Sequence, residues 1–189
     1  MRTEPLLVVD DVVVQFCVVT AVDHASFVAE SGRITGLIGP NGAGKTTCFN
    51  VITGLQKPTR GKVRFRGRNV SHTPVHRRAR RGMGRTFQRL EAFGRLLREL
   101  AAEGRGIVMV EHDMDLVMSV CDEIHVLDFG RVIASGAPAE VRADPAVQQA
   151  YLGYSDTAEE ADGEHLALDE TRTDLQPVEL TRTVPAVPR

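Results

Sequence analysis

Short apolar runs and alternating segments dominate the first part of the chain. Apolar runs cover residues 6–9 and 12–16, and residues 21–30 alternate between apolar and polar side chains. These patterns predict β-strands. A further apolar run at 33–38 predicts a short strand, and the alternation over 61–70, bounded by glycines, predicts a hairpin.

The middle of the chain changes to a helical pattern. Leu90, Phe93, Leu97 and Leu100 fall on one helical face, and Gly104 suits the end of that helix. Gly94 lies inside it, at a cost of roughly 1 kcal/mol relative to alanine.

Strands and helices are predicted to alternate over the next part of the chain. The unbroken apolar run 106–110 predicts a strand buried on both faces, as in a parallel sheet. A helix over 113–121, a hairpin turning at Phe129 and Gly130, and a helix that starts at Asp144 and ends at Gly153 follow.

A glycine-rich loop joins the strand at 33–38 to a helix that ends at Gly54. The loop matches G-x-x-x-x-G-K-[ST] in full. In that motif, backbone N–H groups surround phosphates at a helix N-terminus, the lysine reaches the outer phosphates and the hydroxyl binds Mg²⁺. The predicted nucleotide-binding residues of this phosphate loop are Gly39, Pro40, Asn41, Gly42, Ala43, Gly44, Lys45, Thr46 and Thr47.

Composition bounds the class of protein. The chain has 189 residues, is 42% hydrophobic and contains no apolar stretch long enough for a membrane span or a signal peptide. This predicts one domain in the cytoplasm. The cysteines Cys17, Cys48 and Cys121 have no metal-like spacing and are expected to be small core residues. Residues 154–189 carry nine acidic side chains against three arginines, which predicts a disordered tail.

Three segments resemble one known family. They are ITGLIGPNGAGKTTCFNVITGLQKPTRGKVRF, GRTFQRLEAFG and VMVEHDMDLVMSVCDEIHVLDFGRVIASGAPAEV. These segments are similar to ATP-binding subunits of ABC transporters, specifically the class for branched-chain amino-acid uptake. The resemblance covers residues 4–153. It implies an α/β fold in which a P-loop NTPase core, a parallel sheet flanked by helices, is joined to an antiparallel β subdomain. The acidic tail, 154–189, follows this domain.

The resemblance also implies roles for individual residues. Phe16 matches the aromatic residue that stacks on adenine, although the side chain could equally belong to the core. Gln88 matches the glutamine that senses the metal and the γ-phosphate, and His112 matches the switch histidine. ATP and Mg²⁺ are the implied cofactors. Glu111 is then the residue before the switch and not the catalytic base.

Several family motifs have no counterpart in this chain. Between Gln88 and His112 the family places a helical subdomain, an L-S-G-G-Q signature and a strand ending in Asp-Glu that holds the metal and polarises water. Only residues 89–111 lie in this interval, with a join near 93–95. An internal deletion is therefore inferred, which predicts a shortened sheet with a poorly covered edge, weakened ATP binding and very slow hydrolysis.

The same deletion affects the implied partners. By resemblance these are a second ATP-binding subunit and membrane permease subunits at the inner face of the cell membrane. The missing signature and helical subdomain would provide both contacts, so both are expected to fail.

Two other functions stay open. One is a minimal P-loop NTPase that uses Glu111 or Asp113 as its carboxylate. The other is a non-catalytic nucleotide or nucleic-acid binding module, because residues 60–95 carry twelve Lys or Arg against one Glu. Nucleic acid is ranked last, since no aromatic platform interleaves the basic run. Its arginines are Arg77, Arg78, Arg80, Arg81, Arg85 and Arg89.

Overall fold

The computed structural model describes residues 5–85, 94–111 and 114–151. Its elements are β1 (Leu7–Phe16), β2 (Val19–Ala29), β3 (Ile34–Ile38), α1 (Lys45–Thr53), β4 (Arg60–Phe65), β5 (Arg68–Asn69), α2 (Val75–Arg80), α3 (Gly94–Ala102), β6 (Ile107–Val110), α4 (Met114–Val120), β7 (Glu123–Asp128), β8 (Arg131–Gly136) and α5 (Pro138–Ala143). A further helix runs over 145–151. The predicted site residues Gln88 and His112, together with Asp113 and the acidic tail, lie outside the described residues.

The first sheet is antiparallel and has the strand order β2-β1-β4-β5. The prediction of two separate strands at 6–9 and 12–16 is wrong, because the single strand β1 runs through both segments. The two aspartates that interrupt the apolar pattern form an irregularity in the pairing with β2, where Asp11 has a φ of 51° and its N–H donates to Ser26 Oγ at 2.9 Å. A bulge therefore replaces the predicted break.

The second sheet has the strand order β6-β3-β7-β8. β3 is parallel to both of its neighbours, and β7 forms an antiparallel hairpin with β8. The predicted turn is confirmed, since Phe129 and Gly130 have φ values of 44° and 82°, which suit a two-residue hairpin turn. Residues 107–110 pair in parallel with the strand before the phosphate loop, which confirms the predicted strand of a parallel sheet.

Two apolar cores lie on opposite faces of this second sheet. On one face, Leu37 packs with residues of α1 and of the first sheet. On the other face, Ile34 and Ile38 pack with α3, α4, α5 and the helix over 145–151. β3 is buried along its whole length because both faces are covered. It is therefore the central strand of the molecule.

β6 departs from the prediction of a strand buried on both faces. Met109 is buried, whereas Ile107, Val108 and Val110 are half-buried. The physical reason is position: in the described part of the chain β6 is the outermost strand, with β3 as its one neighbour. The predicted short strand at Gln88, where the poorly covered edge is expected, lies outside the described residues.

The structure also bears on Gly94, on the cysteines and on membrane spans. Gly94 is the first residue of α3, and a Cβ there would lie 3.1 Å from Val120 Cγ1, so close packing against α4 accounts for this glycine. Cys48 and Cys121 are buried, but Cys17 is exposed in the turn between β1 and β2, which corrects the expectation of three core cysteines. Among the described ranges, no helix has the length and apolarity needed to cross a bilayer.

Candidate functional site

The phosphate loop leaves β3 at Ile38 and enters α1 at Lys45, in the predicted order of strand, loop and helix. Gly39 has a φ of 146°, and a Cβ there would lie 2.0 Å from the carbonyl oxygen of Leu127. Gly44 has a φ of 94°, and its Cβ would lie 2.2 Å from the carbonyl oxygen of Ala21. Only glycine fits at these two positions, because the loop passes directly against β7 and β2.

The N-terminus of α1 is open toward a ligand. Gly44 is the N-cap, and no side chain caps the helix there. The first backbone N–H groups of a helix have no partner within the helix, and together they carry a partial positive charge. An anion at this end of α1 would supply the missing acceptors.

Lys45 is folded back over the loop. Its Nζ donates to the carbonyl oxygens of Gly39 at 2.6 Å and Pro40 at 2.7 Å. Burial lowers the pKa of the Lys45 ammonium. The positive charge is therefore held beside the loop by neutral carbonyls, which a phosphate oxygen could replace with a stronger, charge-assisted bond.

A cavity of about 390 Å³ opens at this position. Its volume falls within the range of ligand pockets in proteins. Apart from the loop and the start of α1, its walls come from β2 and from the carboxyl end of β6. The lining residues are Ala21, Asn41, Gly42, Ala43, Gly44, Lys45, Thr46, Thr47, Val110 and Glu111.

The turn between β7 and β8 supports the loop from beneath, which the sequence does not predict. Gly130 N–H donates to the carbonyl oxygen of Ala43 at 3.0 Å, and Asp23 N–H donates to the carbonyl oxygen of Gly130 at 2.9 Å. Arg131 then donates to the Asp23 carboxylate through Nε and a terminal nitrogen, both at 2.7 Å. The glycine at the turn is the one sequence signal for this contact.

The other predicted site residues are only partly brought together. Thr46 is exposed in the cavity, and Thr47 is half-buried. Phe16 is 47% exposed at the end of β1, so it is not a core residue, but it does not line the cavity. Gln88 and His112 lie outside the described residues.

The structure places one arginine of the basic run in the interior. Arg78 belongs to α2, is 1% exposed and contacts the C-terminal end of α1. Burial lowers the pKa of its guanidinium. It donates to four backbone carbonyls, those of Ser71, Thr73, Val51 and Ile52. Arg78 is a structural residue and is not available to nucleic acid, which corrects its inclusion in that alternative.

Arg85 of the same run is also engaged inside the molecule. Its terminal nitrogen donates to Asn50 Oδ1 at 2.8 Å, and its guanidinium lies 5.0 Å from the centre of the Phe49 ring. Both partners belong to α1. The basic composition of this segment therefore serves in part to hold α1, the helix that begins at the phosphate loop.

Fold and site together define a phosphate-loop nucleotide-binding protein, and comparison with known proteins identifies the family. A profile described as "ABC transporter" matches residues 22–170. The chain belongs to the ABC transporter ATP-binding family.

The most similar relatives include subunits of amino-acid transporters. The chain is 27% identical to the high-affinity branched-chain amino acid transport ATP-binding protein LivG of Salmonella typhimurium and 25% identical to BraF of Pseudomonas aeruginosa. Each alignment covers 80% of this chain and 99% of the relative. The lipopolysaccharide export system ATP-binding protein LptB of Acidithiobacillus ferridurans is 24% identical, over 65% of this chain and 86% of its own.

This chain is shorter than its relatives LivG and BraF. The alignments extend over 252 positions, but 80% of 189 residues is about 151. About 100 aligned positions of each relative therefore have no residue opposite them here.

Solved structures agree on the fold. An ATP-binding cassette of an ABC transporter in its ADP conformation superposes with a TM-score of 0.75 at 21% identity, over 80% of this chain and 100% of its own. A nucleotide-free ATP-binding cassette gives a TM-score of 0.73 at 21% identity, over 78% of this chain and 99% of its own.

Proposed function

We propose that this protein binds ATP with Mg²⁺ at the phosphate loop, as the ATP-binding subunit of a branched-chain amino-acid importer. The observation that carries the proposal is the cavity at the start of α1, lined by Lys45 and Thr46 and facing uncapped helix N–H groups. The names of the LivG and BraF relatives supply the substrate class.

The roles of the individual residues follow from this arrangement. The Lys45 ammonium exchanges the loop carbonyls for phosphate oxygens, and the Thr46 hydroxyl faces the metal. Phe16, exposed at the end of β1, stacks on the adenine. Gln88 and His112 are proposed to contact the metal and the γ-phosphate, as the family motif implies.

The donor set of the cavity fits Mg²⁺ when the nucleotide supplies the remaining ligands. Mg²⁺ takes oxygen ligands and commonly binds one or two protein groups together with phosphates. Thr46 provides a hydroxyl oxygen, and Glu111 provides a carboxylate. Among the described residues no group of three or more His, Cys, Asp or Glu could hold a metal alone. Bound Mg²⁺ would neutralise phosphate charge.

Hydrolysis and coupling are proposed to be impaired. About 100 aligned positions of the amino-acid relatives have no residue here. We assign this gap to the interval between Gln88 and His112, where the family places its signature, its Asp-Glu strand and the permease-binding subdomain. Without a group to polarise water, turnover is slow. A second ATP-binding subunit and a permease at the membrane are the implied partners, and both lose their main contact.

Calorimetric titration of ATP with Mg²⁺ into the purified chain tests the proposal. We expect binding by the unchanged protein and a loss of more than about tenfold in affinity for Lys45→Ala, because a charged hydrogen-bond donor is removed. The matched control is Lys57→Ala, an exposed lysine beyond the end of α1. No binding by the unchanged chain, or equal loss in both variants, would contradict the proposal.

A further inference from the structure

An acidic residue lines the phosphate-loop cavity from the neighbouring strand. Glu111 lines the same cavity as Lys45, Thr46 and Thr47. It is the one acidic residue among those lining residues. The cavity therefore combines a cation, two hydroxyls and a single carboxylate, all within the described part of the chain.

Strand register explains why Glu111 reaches this position. β6 runs parallel to β3, with Ile34 opposite Ile107 and Leu37 opposite Val110. Glu111 comes one residue after the last of these pairs, at the edge where β3 continues into the phosphate loop. In parallel sheets the residues that follow neighbouring strands meet at this carboxyl edge, which is where ligands bind.

Glu111 follows directly on an outer strand of the sheet. In the ranges that the structure describes, no strand lies beyond β6. The family resemblance assigns metal binding to an Asp-Glu strand that this chain lacks, and it gives Glu111 no role. The structure nevertheless places Glu111 among the residues that line the cavity, one strand away from the loop.

We propose that Glu111 has taken over metal binding, and that its carboxylate coordinates Mg²⁺ together with the Thr46 hydroxyl and the nucleotide phosphates. This inference rests on the proposed ATP binding and adds the residue that holds the metal. A carboxylate and a hydroxyl are hard oxygen ligands of the kind that Mg²⁺ prefers. Lys45 remains available for the phosphates, so the two charged groups have separate tasks.

The test measures ATP affinity by calorimetry with MgCl₂ and with EDTA for the full chain and for Glu111→Gln. This substitution keeps the size of the side chain and removes its charge. By linkage, the ratio of the two affinities reports how tightly the site holds the metal. The matched control is Glu103→Gln, an exposed glutamate after α3 whose carboxylate pairs with Arg105 at 2.9 Å.

The expected result is a change in the metal effect alone. In EDTA, Glu111→Gln binds ATP as well as the unchanged chain or better, because a negative charge near the phosphates is gone. The ratio of the ATP affinity in MgCl₂ to that in EDTA is expected to fall by about tenfold or more in this variant. This is the usual loss when a group that supports a metal is removed. Paramagnetic resonance of Mn²⁺ with ATP should show the same loss of bound metal, and Glu103→Gln should match the unchanged chain.

Two results would overturn the inference and can be told apart. If Glu111→Gln binds ATP in EDTA and keeps the full effect of Mg²⁺, the carboxylate does not hold the metal, and ATP binding still stands. If the unchanged chain binds no ATP in either buffer, the proposed function fails and the metal assignment fails with it.

Discussion

The two parallel strands beside the phosphate loop differ in how well they are supported. All five residues of β3 are buried, between α1 on one face and the packed helices on the other. β6 has four residues, of which one is buried. The strand that carries the loop is thus fixed in the interior, whereas the strand before Glu111 lies at the edge of the sheet as far as the structure describes it. A phosphate site can persist in this chain because it depends on β3.

Truncation of one apolar side chain in β3 and one in β6 should give the largest difference in unfolding free energy. Leu37→Ala in β3 removes a fully buried side chain and is expected to cost about 4 kcal/mol of unfolding free energy. Ile107→Ala in half-buried β6 should cost about 1.5 kcal/mol, since less apolar surface is lost. Urea denaturation measures both. Equal costs would show that the edge strand is as well supported as the central one.

Adding a methyl group to the loop should show how tightly its glycines are held. Gly39→Ala places a Cβ against the Leu127 carbonyl and is expected to cost about 3 kcal/mol and to abolish ATP binding. Gly42→Ala is the control, because it also has a positive φ, 80°, but nothing lies within 4 Å of the added atom. It should cost about 1 kcal/mol. Similar thermal stability for both variants would contradict the close contact with β7.

Arg78 should contribute to stability as a structural residue that binds the C-terminal end of α1. Arg78→Met leaves carbonyls at the end of α1 without a donor and is expected to cost about 2 kcal/mol. Arg77 lies in α2 like Arg78, but its side chain is exposed. Arg77→Met should therefore stay within about 0.5 kcal/mol of the unfolding free energy of the unchanged chain. Thermal unfolding compares the pair, and an unaffected Arg78→Met would remove this residue from the account.

A smaller, pH-dependent effect is expected where the two sheets meet. His125 is buried on β7, with Nδ1 2.8 Å from Ser135 Oγ and Nε2 3.2 Å from the Val28 carbonyl oxygen of β2. Burial lowers the pKa of His125 in the folded chain. Below about pH 6.5, the usual histidine pKa, the unfolded chain binds a proton that the folded chain disfavours. Stability should therefore fall as the pH falls.

The unfolding free energy of the unchanged chain and of two variants, measured at pH 7.5 and 5.5, tests this effect. The contribution of His125 is limited to about 1.4 kcal/mol per pH unit, the value for one proton. His125→Gln should reduce the dependence on pH, whereas the exposed His76→Gln should retain it. An unchanged slope in His125→Gln would contradict the assignment.

Local patterns predict most of the fold, because periodicity and turn residues report directly on strands, helices and the phosphate loop. The hairpin at Phe129 and the order of strand, loop and helix at 33–54 follow from these patterns, whereas the parallel sheet that contains β3 and β6 is implied by the family resemblance. Phe16 was equally compatible with a core or a surface position, and its exposure became clear only once β1 and β2 were placed.

The remaining features depend on distant parts of the chain. Arg78 belongs to a basic run that suggests a surface for nucleic acid, and its burial is explained only by the carbonyls of α1, more than twenty residues earlier. Glu111 follows an apolar strand in any interpretation, but its place in the wall of the cavity depends on the parallel pairing of β6 with β3. Neither relation is visible in local sequence.

Amide hydrogen exchange with and without ATP and Mg²⁺ tests the central claim most directly. The account predicts that β3 exchanges much more slowly than β6 in the free protein, because local opening is easiest where burial is least. ATP should then increase protection at residues 39–47 and at 110–111. Equal exchange in the two strands, with no change at the loop on adding ATP, would contradict a preserved phosphate site beside a weakened edge.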